Sequence, residues 1–109
     1  MLHHALIKVA ASQHAAVVKF YELALAPLGS ANLKSFPNGF TGFGAQAPEY
    51  WIAKADVTPN TTVHVGFGAQ DKAAVDAFYK AAIDAGGKDN GPPRRNNIEA
   101  GCMLPKEAL

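Results

Sequence analysis

Three residues of this chain have the types and setting to hold a divalent metal together: His4, His64 and Glu99. Each lies in a segment that reads as a strand, "HHALIKVA", "TTVHVGFG" and "NNIEAGC". Alternate side chains of a strand share one face. His4 therefore groups with Leu6 and Lys8, and His64 with Gly66 and Gly68. Glu99 groups with Asn97 and Gly101 if Ile98 and Ala100 face the helices. Two imidazoles and one carboxylate from three strands form a facial ligand set with open coordination positions. Such a centre binds a substrate through adjacent oxygens and stabilises an enolate or alkoxide as a Lewis acid. Gly66 and Gly68 leave room beside His64 for that substrate. A lone strand histidine is more often structural than a ligand. What singles out His4 and His64 is their matching place in an internal repeat.

Other chemistry is less well supplied. Tyr50, Trp51 and Phe43 could line an apolar, substrate-binding pocket, although aromatic strand residues are more often core. His3 should point away from the face of His4, and His14 reads as a surface residue at a helix start. Cys102 has no base partner in the sequence, so an inert thiol is the default. "GFGAQ" occurs at Gly42 and again at Gly66, and neither copy has the spacing of a phosphate loop.

The elements that must position these residues come in two copies. "AAVVKFYELALAPLG" from Ala15 aligns without gaps to "AAVDAFYKAAIDAGG" from Ala73. Identities fall at Val17/Val75, Phe20/Phe78, Tyr21/Tyr79, Ala24/Ala82 and Gly29/Gly87, beside the opening alanines. Both segments are amphipathic helices. Val17, Phe20, Leu23 or Ala24, and Leu28 form one stripe; Val75, Phe78, Ala82 and Ile83 form the other. Gly29 and Gly86-Gly87 stand where a helix end needs positive φ, and Asp71 is placed to cap the second helix. A strand precedes each helix, with Ala5, Ile7 and Val9, or Val63, Val65 and Phe67, on its covered face. After the first helix, "LKSF", "FTGFGA" and "EYWIAKA" read as strands, with turns at Pro37-Asn38-Gly39 and Ala47-Pro48. Unit one is thus βαβββ. Unit two offers "NNIEAGCML" as its one clear strand after the helix, fewer than the repeat predicts.

Composition bounds the rest. The chain has 109 residues and a formal net charge of +1, which suits one domain with a single core. That balance makes no electrostatic case for nucleic acid or an anionic membrane. Arg94-Arg95 is the one basic cluster and lies in a Pro/Gly loop. With a single cysteine no intrachain disulfide forms, and "MLHHALIKVA" does not read as a signal peptide. A reducing, cytoplasmic setting is expected.

These features resemble the vicinal oxygen chelate superfamily: glyoxalase, bleomycin-resistance and extradiol dioxygenase proteins. The resemblance is carried by "HHALIKVA", "VVKFYELALAPLG", "HVGFGAQDKAAVDAFYKAAIDAGGKDNGPP" and "NNIEA", along most of the chain. It implies an α+β fold of paired βαβββ modules, about 1–59 and 60–109 of one domain. Their curved mixed sheets would surround a shared cavity, commonly in a homodimer. It implies His4 and His64 as first-strand ligands and Glu99 as the last-strand carboxylate. The ion would be Fe, Mn, Zn or Ni. Glu49, in "EYWIA", is the one acid near a fourth ligand position, so a three-ligand site is implied. The resemblance implies either a lyase or oxidoreductase of the glyoxalase or dioxygenase kind, a non-catalytic binder of the resistance kind, or a degenerate paralogue.

One departure bears on the site. The family pattern carries further strands between the "NGPP" loop and "NNIEA", and here the second module is shortened. A natural short form, a stretch missing between Arg95 and Asn96, or strands lent by a partner chain would each account for it. Unpaired strand edges are the expected consequence.

Overall fold

The computed structural model describes residues 2–57, 65–87 and the backbone of 99–101. Strand β1 (Ala5–Ala10) leads into helix α1 (His14–Leu25), a 3-10 turn at Ala26–Leu28, then β2 (Ala31–Ser35), β3 (Phe40–Gly44) and β4 (Tyr50–Ala55). Strand β5 (Gly66–Gly68), helix α2 (Lys72–Asp84) and β6 (Glu99–Gly101) follow. Unit one is the βαβββ module that the strand and helix patterns predict. Its sheet runs β1-β4-β3-β2, with β1 parallel to β4 and the other pairs antiparallel. In unit two, β5 pairs with β6 in a separate two-stranded sheet. Among the described residues the strands form no closed barrel.

The helix stripes explain the packing. Val17, Phe20, Tyr21, Ala24 and Leu25 are buried on α1, a three-and-four spacing that keeps one face inward. Val75, Phe78 and Ala82 do the same on α2. Of the two alternatives on α1, Ala24 is the core residue, and Leu23 is 49% exposed. Ile83 lies at the rim of its stripe rather than inside it, at 37% exposure. On both helices the small residue is buried and the branched one stands toward solvent.

The helix ends settle the role of the repeated glycines. Gly29 takes φ +82° and Gly86 takes φ +97°, the left-handed conformation that favours glycine. Each is followed by the wrap-back bond of a Schellman end: Ser30 N–H to Leu25 O (3.3 Å) and Gly87 N–H to Ala82 O (2.8 Å). Structurally, then, Gly29 corresponds to Gly86, one residue off the sequence alignment. Gly87 is small for another reason. A Cβ there would stand 2.8 Å from both the Phe20 ring and the Ala82 carbonyl oxygen. Asp71 caps α2 as predicted, its carboxylate accepting from Ala74 N–H at 2.8 Å.

Sheet register divides the side chains cleanly. On the helix side, Ala5, Ile7 and Val9 align with Tyr50, Ile52 and Lys54, and Phe43 with Tyr50. On the open side, Leu6 aligns with Trp51, and Gly42 with Trp51. Tyr21 of α1 sits at the centre of the core. Its ring contacts Phe20, Tyr50, Phe43 and Phe67 at centroid distances of 5.1, 5.0, 6.4 and 6.1 Å. Edge-to-face contacts of this kind suit the ring quadrupole. The turn predicted at Pro37-Asn38-Gly39 closes the β2–β3 hairpin, with Gly39 at φ +90° and Phe36 N–H donating to Phe40 O at 2.8 Å.

Candidate functional site

The metal-ligand candidates are placed unequally. His4 stands one residue ahead of β1 and is exposed. Its Nδ1 lies 2.9 Å from Nδ1 of His3, so one ring carries the hydrogen and the other accepts it. His3 therefore does not point away from His4, as strict alternation predicts. The strand begins only at Ala5, and the two rings meet edge to face at 5.2 Å. His64 lies outside the described residues, as do Cys102, Arg94 and Arg95. Glu99 is described by its backbone: β6 pairs it with Gly68, two residues past Gly66 in β5. The segment that begins at Glu99 is thus paired into a sheet with β5. Among the described residues, no three of His, Cys, Asp and Glu come together in a group that could hold a metal. The described donors alone do not assemble such a centre.

The three aromatic candidates part company. Phe43 and Tyr50 are buried on the helix side within the core around Tyr21. Trp51 is half-buried on the opposite, open face. There its ring stacks on Phe36, with centroids 6.2 Å apart and planes 16° apart. The indole lies across Gly42: a Cβ on Gly42 would come within 2.9 Å of it and 2.8 Å of Pro48. Glycine at this position is what lets the indole lie flat on the sheet. Leu6 (41% exposed), Phe36 (49%) and Phe40 (37%) extend the same face as an open apolar surface. Phe36 carries no sequence signal for this role beyond its place at the end of "LKSF", before a turn.

A second concavity opens on the helix side, where β5 meets the start of β4 and the end of α1. It encloses about 210 Å³ between Leu25, Phe43, Tyr50, Val65 and Phe67. Glu49 and Ser30 supply polar groups at its wall. Phe43 and Tyr50 therefore line a concavity on the face of the sheet opposite Trp51. The repeated "GFG" accounts for part of this wall. It places Phe43 and Phe67 against Tyr21 and leaves glycines on either side, a packing role rather than phosphate binding.

His14 differs from its surface reading. It is half-buried, and its Nε2, like Nε2 of the buried Gln13, is enclosed with no hydrogen-bond partner among the described residues. Gln13 precedes α1 but gives no side-chain cap.

Sheet order and helix placement define an α+β fold with both helices on one side of a mixed sheet. The chain is similar in structure to a glyoxalase/bleomycin resistance protein from Albidiferax ferrireducens T118, with a TM-score of 0.66. The match covers 91% of this chain and 95% of that one, at 21% sequence identity. No protein-family model and no curated protein sequence matches the chain. The likeness is one of fold. Among the described residues no helix is long and apolar enough to cross a membrane.

Proposed function

We propose that this chain binds a small planar molecule on the open face of the four-stranded sheet. The observation that carries this reading is the Phe36–Trp51 stack laid over Gly42. Aromatic platforms of this kind contribute binding through apolar contact and ring stacking. Leu6 and Phe40 widen the platform, Lys8 stands on the next row of β1 beside Ala53, and Lys34 stands on β2 in the row of Gly42 and Trp51. The similar fold of a glyoxalase/bleomycin resistance protein supports a small-molecule role. Titration with a planar aromatic compound, followed through the Trp51 indole, tests it. A site elsewhere would leave the indole unmoved.

A second reading adds a metal and makes the chain a glyoxalase- or dioxygenase-like enzyme. The pairing of Glu99 with Gly68, in the strand that His64 leads into, favours it. His4, His64 and Glu99 would hold the ion, which would supply Lewis acidity to a substrate chelating through adjacent oxygens. In this reading the chain is one domain, with units at about 1–59 and 60–109, and works as a homodimer in the cytoplasm. Elemental analysis of the purified protein, with thermal stability of His64→Ala and Glu99→Gln in added Mn²⁺ or Zn²⁺, tests it. Near-stoichiometric metal and a metal-dependent rise in melting temperature, lost in both variants, are expected. No bound metal and no change on substitution would leave the binding reading alone.

A further inference from the structure

We propose that the helix-side pocket takes a small organic ammonium ion with an apolar body. This pocket is separate from the Trp51 face, and the inference does not rest on the reading of that face. Its volume, about 210 Å³, lies below the usual range for drug-sized ligands, so its occupant is a molecule of about ten non-hydrogen atoms or fewer. Its walls are the rings of Phe43, Tyr50 and Phe67 with Leu25 and Val65.

Among the described residues lining it, Glu49 carries the single charge. A carboxylate beside apolar walls favours a cation and disfavours an anion of equal shape. Aromatic walls add to that preference, because a ring quadrupole attracts positive charge. Ser30 adds a hydroxyl that can accept a hydrogen bond from an ammonium group.

The walls are set before any ligand arrives. Glu49 N–H donates to Phe43 O at 2.8 Å, and Glu49 O accepts from Ala5 N–H at 2.8 Å, which fixes the backbone that bears the carboxylate. Ser30 is held by the Schellman end of the first helical unit. Tyr50 and Phe67 brace each other edge to face, and both brace Tyr21. Gly66 and Gly68 line one side without filling it, and even a Cβ on Gly68 would meet nothing within 4 Å. Such preorganisation lowers the ordering cost of binding.

Two-dimensional NMR of the nitrogen-15-labelled protein tests this with three probes of similar shape: benzylammonium chloride, benzyl alcohol and sodium benzoate at equal ionic strength. Saturable shifts are expected at the amides of Ser30, Glu49 and Gly66–Gly68. Benzylammonium should bind about three- to tenfold more tightly than benzyl alcohol, the modest ratio reflecting an exposed carboxylate. Benzoate should bind most weakly. Glu49→Gln should erase the ratio while leaving the alcohol's affinity unchanged. Ala5→Leu should fill the pocket and abolish both, and Lys80→Ala, an exposed position on α2 away from either face, should change neither. Glu49 is exposed, so its variant keeps the fold and decides the charge preference even where Ala5→Leu does not fold. Absence of saturation in the wild type, shifts centred on the Trp51 indole, or an unchanged ratio in Glu49→Gln would each overturn the proposal.

Discussion

The rings of Tyr50 and Phe67 meet edge to face, 5.1 Å apart with planes at 80°. Tyr50 opens β4 in the first unit and Phe67 centres β5 in the second. This contact, with Tyr21 behind it, is where the short second sheet is tied to the main core. Phe67 also contacts Phe78 of α2 at 6.1 Å. Phe67→Ala removes the ring from all of these neighbours and should cost about 2–4 kcal/mol of stability. Phe67→Leu keeps most of the volume and should cost about half as much or less. Urea unfolding of the two variants gives the comparison.

Four glycines that look alike in sequence should respond differently to alanine. Gly86→Ala places a Cβ at φ +97° and should cost about 1 kcal/mol or somewhat more. Gly87→Ala drives the Cβ against Phe20 and the Ala82 carbonyl, and overpacking of that kind costs about 1–3 kcal/mol. Gly29→Ala carries the conformational cost without a clash, since nothing lies within 4 Å. Gly68→Ala has neither problem and should stay within about 0.5 kcal/mol of the wild type. Melting temperatures of the four variants test this order.

Gly42 supports the aromatic platform directly. Gly42→Val should lift the indole of Trp51 from the sheet and break its stack on Phe36. A more solvated indole emits at longer wavelength, so a red shift of the single tryptophan is the expected signal. Unchanged emission would show that the indole tolerates a side chain beneath it.

Lys80 and Asp84 form an exposed ion pair one helical turn apart, at 2.8 Å. The hydrogen bond to Asp84, and then its charge, raise the Lys80 ammonium above its ordinary value of 10.5. A lysine pKa raised by folding stabilises the folded state fully below the unfolded value, and that contribution is lost as pH climbs through the folded one. The pair should therefore give no change in stability across neutral pH and weaken only in alkali. A side-chain NMR titration should place the Lys80 midpoint above 10.5, and Asp84→Asn should return it toward that value.

Much of the fold was legible because hydrophobic period is local information. The alternation at Ala5, Ile7 and Val9, and the stripe from Val17 to Ala24, follow directly from strand and helix geometry. The choice between Leu23 and Ala24 was not legible, since both fit the helical stripe and only the packing around α1 decides which is buried. Phe43, Tyr50 and Trp51 do not share one face of the sheet. Adjacent residues of one strand face opposite ways, and the antiparallel register that pairs Phe43 with Tyr50 sends Trp51 to the other side. The contact of His3 with His4 escaped because it depends on where β1 begins. One signal for Phe67 was present, the second "GFG", which repeats the surroundings of Phe43.

The stacked Trp51–Phe36 face is the surface proposed to receive a planar small molecule. The most direct measurement follows the Trp51 indole N–H by NMR while metal-free protein is titrated with 2,3-dihydroxynaphthalene, a planar compound with adjacent oxygens. A saturable shift of that one indole, lost in Gly42→Val, is the predicted result. An indole that stays in place through the titration would contradict the claim.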